Sequence, residues 1–588
     1  MKKLAFLITL LAMPIPLAAQ SPADQSALGH GSGLDPADIL KPLSDQWMSY
    51  SGDMSGKRHS PLKEINTQTV KNLSLQWINT GITTGCGPNG TGQAAADAPP
   101  GGRGGGRGGR GGGAPAGVGA IIPGGFGTGE VNSCGPTRFG GGILFVDGIL
   151  YGASINDIYA IDARDGAVLW HYYWKYRGGT VTGTRGPSMW HNYIYFEFHD
   201  DWIVCLNAKT GQEVWKKEIA PFDQQYFSSN VPLAIGNHII VGTGNDTDEP
   251  AYIKALDPET GEEQWRLYST AQKAGDPGAE SWASLDAARH GGGTSWIPGS
   301  YDPDTHLYIF GTGNPTPSYT QGRGDGDNLY TSCLLAVNID TGKIAWYFQT
   351  SPHDTHDWDS TQTPILVDAM FGGRMRKLLL TAMRNGYFFV LDRVTGEHLL
   401  TSKLGLVNNY ASAIDPNSPL HLNKRGEVQR NPNKDATIAG SLVNTDVLNF
   451  PPPTFSPETG LFYVHETNFI GVTYLLEPDP RGSMGLGGIN SAAGMSFGTF
   501  IDAINYQTGK VVWRHELTNG SVGLTSTAGG VLFCSNGGGI EALRATDGKP
   551  LWHSEIGTLS SPPETFMLDG KQHVLATGAS GLSMFVLN

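Results

Sequence analysis

The chain is poor in cysteine, with five in 588 residues. None belongs to a Cys-x-x-Cys-His sequence, which excludes covalent attachment of a c-type haem to this sequence. Positive charge is also in deficit: 40 Lys and Arg stand against 54 Asp and Glu, a formal net charge of −14. Such a chain is a poor partner for nucleic acid or an anionic membrane surface. Beyond residue 20 no apolar run is long enough to cross a bilayer, so no transmembrane segment is expected in the mature chain.

The one marked apolar run opens the chain, MKKLAFLITLLAMPIPLAAQ. Lys2 and Lys3 precede Leu4 to Met13, and small residues follow at Ala18 and Ala19. This pattern predicts a signal peptide over residues 1–20 and export to the periplasm. Pro14 and Pro16 interrupt the run, which argues against an uncleaved anchor. Residues 21–42 read as a polar linker and 43–588 as one domain. Cys205, Cys333 and Cys534 sit in strand-like apolar runs and read as small buried hydrophobes. Cys86 and Cys134 sit in Gly-rich loops and are the candidates for a disulfide.

Glycine is abundant at 82 copies, alongside 14 Trp and 21 Tyr. That composition suits short strands joined by tight turns. Residues 85–136 form a low-complexity insertion centred on GGRGGGRGGRGGG, a solvated loop rather than packed structure. The rest carries an internal repeat. AIDARDGAVLW ends at Trp170, CLNAKTGQEVW at Trp215, ALDPETGEEQW at Trp265 and AVNIDTGKIAW at Trp346. VLDRVTGEHLL ends at Leu400, AINYQTGKVVW at Trp513 and ALRATDGKPLW at Trp552. Each copy reads as strand, Gly turn, strand, with a second alternating pair before it. Four strands per unit, roughly 40 to 50 residues apart, describe propeller blades. The fold class is therefore all-β: an eight-bladed propeller of four-stranded antiparallel blades, with seven blades as the alternative. The eighth blade would join LSLQW, ending at Trp77, to the C-terminal HVLATGASGLSMFVL. The longer gaps, from Trp265 to Trp346 and from Leu400 to Trp513, would hold insertions or a degenerate blade such as PTFSPETGLFYVH. The recurring Trp residues read as packing wedges between blades.

Between His290 and Asp359 three tracts depart from the repeat. Trp296 follows a Gly-Gly-Gly turn, Asn314 lies in Gly-Thr-Gly-Asn-Pro, and Asp357 and Asp359 lie two apart beside His353, Asp354 and His356. These read as an aromatic floor, a metal ligand and a base meeting on one cofactor, since propeller loops converge on a central channel. A second reading is a transition-metal site on His353 and His356 with His290. A third is a non-catalytic propeller that binds protein partners.

The segment from Trp296 to Pro315, the following PHDTHDWD and the later AMRNGYFFVLDRVTG resemble the quinoprotein alcohol dehydrogenases. The likeness runs from about Asp45 to the C-terminus, the Gly-rich insertion excepted. It implies pyrroloquinoline quinone (PQQ) as cofactor with one metal ion, Ca2+ or a lanthanide. Trp296 would lie beneath the quinone. Asn314 would give an oxygen to the cation. Asp357 would be a metal ligand and the catalytic base, and Arg384 would act beside it on the quinone oxygens. Asp359 would be the extra carboxylate of the lanthanide-using branch. Arg185, Ser229, Gly244, Asn245 and Asn449 would be further cofactor contacts. The family's third-blade metal ligand falls on Asp246, with Asp248 or Glu249 as substitutes, and its first-blade Glu falls near Gly140. The family's adjacent cysteine pair is replaced by TVTGTRGPSMW, and His356 stands where many members carry Trp. The resemblance implies oxidation of a small alcohol, sugar or polyol, with electrons passed to a separate acceptor such as a cytochrome c or quinone.

Overall fold

The structure, a computed structural model, describes residues 33–84, 135–136, 138–178, 183–244, 249–318, 323–354, 357–406, 441–444, 447–475, 488–578 and 581–588. The expected signal peptide, Cys86, Cys134, Asn245, Asp246, Asp248 and His356 lie outside the described residues.

Seven antiparallel sheets follow one another along residues 144–173, 188–218, 233–268, 300–349, 365–403, 454–517 and 525–555. An eighth takes three strands from residues 564–587 and its fourth from Leu73–Asn79. In it Leu73 lies opposite Leu587 and Asn79 opposite Leu582, so the two ends of the ring meet in one blade. Eight blades, not seven, therefore form the ring. The tract PTFSPETGLFYVH is not a blade of its own: Thr454–Ser456 and Leu461–Leu475 are the first two strands of the sixth. That blade is extended instead, its second and third strands running for 15 and 18 residues. The Gly-rich insertion leaves from Thr83–Thr84 and returns at Gly135–Pro136, which pair with each other at its base. Among the described residues no helix is long and apolar enough to cross a membrane.

The repeat tryptophans join neighbouring blades. The indole N–H of Trp77 donates to Ala163 O (3.0 Å), Trp170 to Ala208 O (2.8 Å) and Trp215 to Pro258 O (3.0 Å). Trp265 donates to Ile339 O, Trp346 to Arg393 O and Trp513 to Ala545 O. Each ring lies against the turn of the next blade. At Gly342 (φ 65°) a Cβ would stand 2.5 Å from Trp265 Cε3, so that turn needs glycine for both its conformation and the ring above it. Where the series breaks at Leu400, Tyr506 takes over a similar duty by donating to Met370 O.

Residues 45–60 thread the ring. Asp45 O accepts from Met567 N in the eighth blade, and Trp47 exchanges two backbone bonds with Phe145 in the first. Met54, Ser55, Lys57 and Arg58 accept from Tyr301, Leu366, Phe455 and Ser526, on the innermost strands of blades four to seven. Arg58, fully buried, donates to the carbonyls of Leu524 (3.1 Å) and Pro563 (3.3 Å). The stretch read as a linker begins this packing: Leu34 pairs with His191, and Ile39, on the short helix Pro36–Ile39, is buried.

Buried acids are spread through the ring. On the sixth blade Glu466 and Asp502 share one guanidinium, with Arg514 donating to Glu466 Oε2 (2.9 Å) and to both Asp502 oxygens (2.7 and 2.8 Å). Two carboxylates against one cation retain a proton. Burial, then the shared hydrogen bond with Asp502, raises the Glu466 carboxyl from its ordinary 4.5 to about 8. The folded chain thus holds a proton that the unfolded chain releases near pH 4.5. The resulting stabilisation is complete below that pH and is lost as pH rises towards 8. We expect Glu466→Gln, whose amide can donate to Asp502 permanently, to flatten this decline. Thermal unfolding midpoints of variant and parent between pH 5 and 9 check it: the variant should gain on the parent as pH rises, and parallel curves would refute the shared proton.

Candidate active site

In each antiparallel blade the first strand starts, and the second ends, at the same end of the ring. Loops before first strands and after second strands therefore gather there. Arg185 precedes Ser188–Trp190 in the second blade, and Trp296 precedes Ser300–Asp302 in the fourth. Asn314 follows Leu307–Gly311, three residues past the strand end. Asp357 and Asp359 precede Ile365–Phe371, Arg384 directly follows Arg374–Met383, and Asn449 precedes Thr454–Ser456. The opposite end carries the Thr-Gly turns of the repeat.

These loops enclose a cavity of about 250 Å³, lined by Arg185, Trp296, Asn314, Asp357, Asp359, Arg384 and Asn449 together with Phe227, Thr294 and Phe450. Asp359 is its hub. Its Oδ1 accepts from Asn314 N (2.6 Å), and its Oδ2 accepts from Trp296 Nε1 (3.0 Å) and Arg384 Nη1 (2.8 Å). One carboxylate thereby fixes the metal-ligand candidate, the aromatic floor and the guanidinium relative to one another. Gly313 makes room for it, since a Cβ there would stand 2.9 Å from Asp359 Oδ1. Arg384 also reaches Asp357, with Nη2 at 3.2 Å from Oδ2 and Nη1 at 3.4 Å from Oδ1. Asp357 adopts φ 63°, a conformation that Asp tolerates better than most residues. It turns the loop so that Asp357 and Asp359 both address Arg384.

Arg185 forms the opposite wall. It is 5 % exposed, and its guanidinium carbon lies 5.3 Å from the Trp296 ring and 4.6 Å from the Phe450 ring. Burial lowers its pKa. Its Nε has no hydrogen-bond partner, and no carboxylate among the described residues pairs with it. A buried, unneutralised guanidinium calls for an anion. A carboxylate-bearing planar ligand stacked on Trp296 answers that need. Around the Arg384 guanidinium the other wall offers oxygens. Asn314 Nδ2 is turned to Pro315 O (3.1 Å), leaving the amide oxygen to serve as a ligand. Asp359 Oδ1 carries a single donor, so it keeps acceptor capacity. With Asp357, this is the donor chemistry of a hard cation. The residues present fit both groups.

Ser229 and Gly244 stand behind Phe227 rather than on the cavity wall: Gly244 O accepts from Phe227 N (3.2 Å), and Ser229 is buried with its hydroxyl unpartnered. The histidines are engaged elsewhere. His353 Nδ1 meets Gly326 O (2.8 Å), and His290 caps the short helix Leu285–Arg289 facing Asp286. Among the described residues no group of three or more His, Cys, Asp or Glu is arranged to hold a metal ion. Phe227, Thr294 and Phe450 were not singled out from sequence. Phe450 directly follows Asn449, so the motif position that identified one could have identified the other.

Comparison with known proteins places this geometry. The sequence model for the glucose/ethanol/alcohol dehydrogenase β-propeller domain matches residues 128–408, which include eight of the cavity's ten residues, all but Asn449 and Phe450, and the whole Trp296–Arg384 tract. A second, for the outer membrane protein assembly factor BamB, matches residues 491–587. The quinoprotein alcohol dehydrogenase PedH of Pseudomonas putida is 30% identical over 483 residues, covering 74% of this chain and 78% of that protein. The quinohemoprotein alcohol dehydrogenase ADH IIB of the same species is 27% identical over 97% of this chain and 78% of its own length. Among solved structures, the quinohemoprotein alcohol dehydrogenase of Comamonas testosteroni superposes with a TM-score of 0.77 at 25% identity, over 94% of this chain and 82% of that one. A europium-containing methanol dehydrogenase shares the fold with a TM-score of 0.72 at 24% identity, over 92% of this chain and 90% of that one. Built on an eight-bladed ring and 30% identical to PedH over 74% of its length, the chain belongs to the PQQ-dependent, or quinoprotein, alcohol dehydrogenase family.

Proposed function

We propose that this protein oxidises an alcohol to the aldehyde or ketone after export to the periplasm, with Asp357 as the base. The observation that carries the reading is the Asp357–Arg384–Asp359 arrangement beside Trp296 in one cavity. When bound, PQQ would supply the two-electron acceptor, and a Ca2+ or lanthanide ion, which Asn314, Asp357 and Asp359 would hold, would supply Lewis acidity. The protein's own part is positioning and proton transfer. Asp357, held toward the cavity by the Arg384 guanidinium at 3.2 and 3.4 Å, is the carboxylate to take the hydroxyl proton. The same guanidinium offers positive charge where negative charge develops in the acceptor. Trp296 keeps the ligand plane fixed because its N–H is tied to Asp359. Electrons then leave to a separate cytochrome c or quinone.

The BamB-like match does not favour a non-catalytic propeller. It covers residues 491–587, none of which lines this cavity. The test is reconstitution of purified protein with PQQ and either Ca2+ or a light lanthanide, assayed by reduction of an artificial dye across primary alcohols. We expect cofactor absorbance and alcohol-dependent dye reduction with at least one metal. Cofactor bound without turnover under any metal would reject the dehydrogenase reading.

A further inference from the structure

Arg323 lies behind the cavity wall rather than on it, 2% exposed, yet it touches both loops that carry the oxygen ligands. Its Nη1 donates to Pro317 O (2.9 Å), three residues after Asn314, and its Nη2 donates to Asp354 O, three residues before Asp357. We propose that Arg323 is a positioning residue. From outside the cavity it ties the loop of Asn314 to the loop of Asp357 and Asp359, and so sets the spacing of the oxygens that receive the cation. This rests on the ligand reading above and deepens it.

Three observations carry it. The first is the chemistry of the side chain. A guanidinium offers its donors in a rigid, planar fork, so carbonyls bound by Nη1 and Nη2 are held at one separation. Burial draws the Arg323 pKa down to about 10, with Asp354 opposing, so the charge persists at neutral pH and strengthens both bonds. The second is the anchoring of Arg323 itself. Its backbone oxygen accepts from Ala283 N (3.0 Å) and from Asn328 Nδ2 (3.4 Å). Gly324 (φ 86°) permits that close approach, since a Cβ there would stand 2.9 Å from Ala283 Cβ. The fork therefore projects from a fixed bed. The third is what Asp354 does with the constraint. Its Oδ2 accepts from Trp358 N (2.7 Å), the amide that follows Asp357, and from Ser332 Oγ (3.3 Å). Trp358 is 1% exposed and packed in the core of the fourth and fifth blades. A displacement at Asp354 thus passes directly to Asp357 and Asp359. Inside the cavity the two loops meet once more, where Asn314 N donates to Asp359 Oδ1 (2.6 Å). Along the chain, Asp357 lies between the residues of these two ties.

Two measurements on the purified protein without added quinone test the tie in Arg323→Lys, which keeps the charge but not the fork, and in Arg323→Met, which keeps neither. The first is titration with terbium, followed by indole-sensitised emission. If about a tenth of the variant molecules hold the loops at the competent spacing, the apparent affinity falls about 10-fold. We expect a fall of that size or more in both variants, with thermal midpoints still above the assay temperature. The second is hydrogen–deuterium exchange of the metal-free chain. The amides of Asn314 and Trp358 should exchange about 10-fold faster in both variants than in the parent, and those of the seventh blade at the parent's rate. Terbium affinity equal to the parent's in both variants overturns the proposal, even where the midpoint falls, because a merely structural arginine would lower stability and leave the folded site unchanged. Failure of both variants to fold would assign Arg323 to the fold and overturn it as well. The exchange measurement stands apart from the dehydrogenase reading. If the parent binds no terbium and oxidises no alcohol, faster exchange at Asn314 and Trp358 still supports the tie, and exchange at the parent's rate removes it.

Discussion

Asp357→Asn should lower kcat by about 10²- to 10⁴-fold, the usual contribution of a positioned general base. The amide keeps the shape of the side chain and can still accept from Arg384 through its oxygen. It cannot accept the alcohol proton, and it removes the negative charge that Arg384 Nη2 meets at 3.2 Å. Arg384 has a second anchor in Asp359 at 2.8 Å, so the guanidinium should stay in place. The variant therefore separates chemistry from assembly. We expect cofactor absorbance after reconstitution close to that of the parent, with dye reduction lost. Undiminished turnover would remove Asp357 as the base, and loss of the cofactor along with turnover would show that its main part is in binding.

The reasons that this constellation could be read from the sequence lie in the ring itself. Trp296, Asn314, Asp357 and Asp359 come from two successive blades, so their loops are close in sequence as well as in space. Each interrupts the repeat with a residue type the repeat does not use at that position. The blade count was legible for a similar reason. A tryptophan whose indole must reach the next blade's carbonyl and lie on its turn glycine leaves the same mark in six copies. What escaped depends on contacts that side-chain identity does not encode. Residues 45–60 fill the ring through backbone bonds to six blades, which any sequence of suitable length and polarity could make. The triangle of Asp357, Asp359 and Arg384 could not be read because Arg384 arrives from the second strand of its blade, and the pairing depends on the turn that Asp357 makes at φ 63°. Phe227 and Phe450 look like ordinary loop aromatics until the third and sixth blades are set on either side of Arg185 and Trp296.

Asp359→Ala should be the most damaging single change in the site. Its side chain is 5% exposed and accepts from three donors on three loops. Removal takes from Asn314 N and Trp296 Nε1 the carboxylate they donate to, and from Arg384 its 2.8 Å contact. Breaking a buried ion pair in this way typically costs about 3–5 kcal/mol. A fall in the thermal midpoint would follow from that structural loss alone, so stability cannot test the proposed ligand role. Metal binding can. Terbium is a trivalent oxygen-seeking ion whose luminescence is excited through nearby indole, and Trp296 is joined to Asp359 directly. We expect indole-sensitised terbium emission in the parent, its loss in Asp359→Ala and its loss in Trp296→Phe, where the ion binds but its sensitiser is gone. Calcium-supported turnover need not follow the same course, because Asn314 and Asp357 still offer oxygens to a divalent ion. If Asp359→Ala keeps both terbium emission and lanthanide-supported turnover, Asp359 is a clamp for Trp296 and Arg384 and not a ligand. The hydrogen bonds already present make that a physically complete role, which is why the metal readout, and not activity alone, must decide between them.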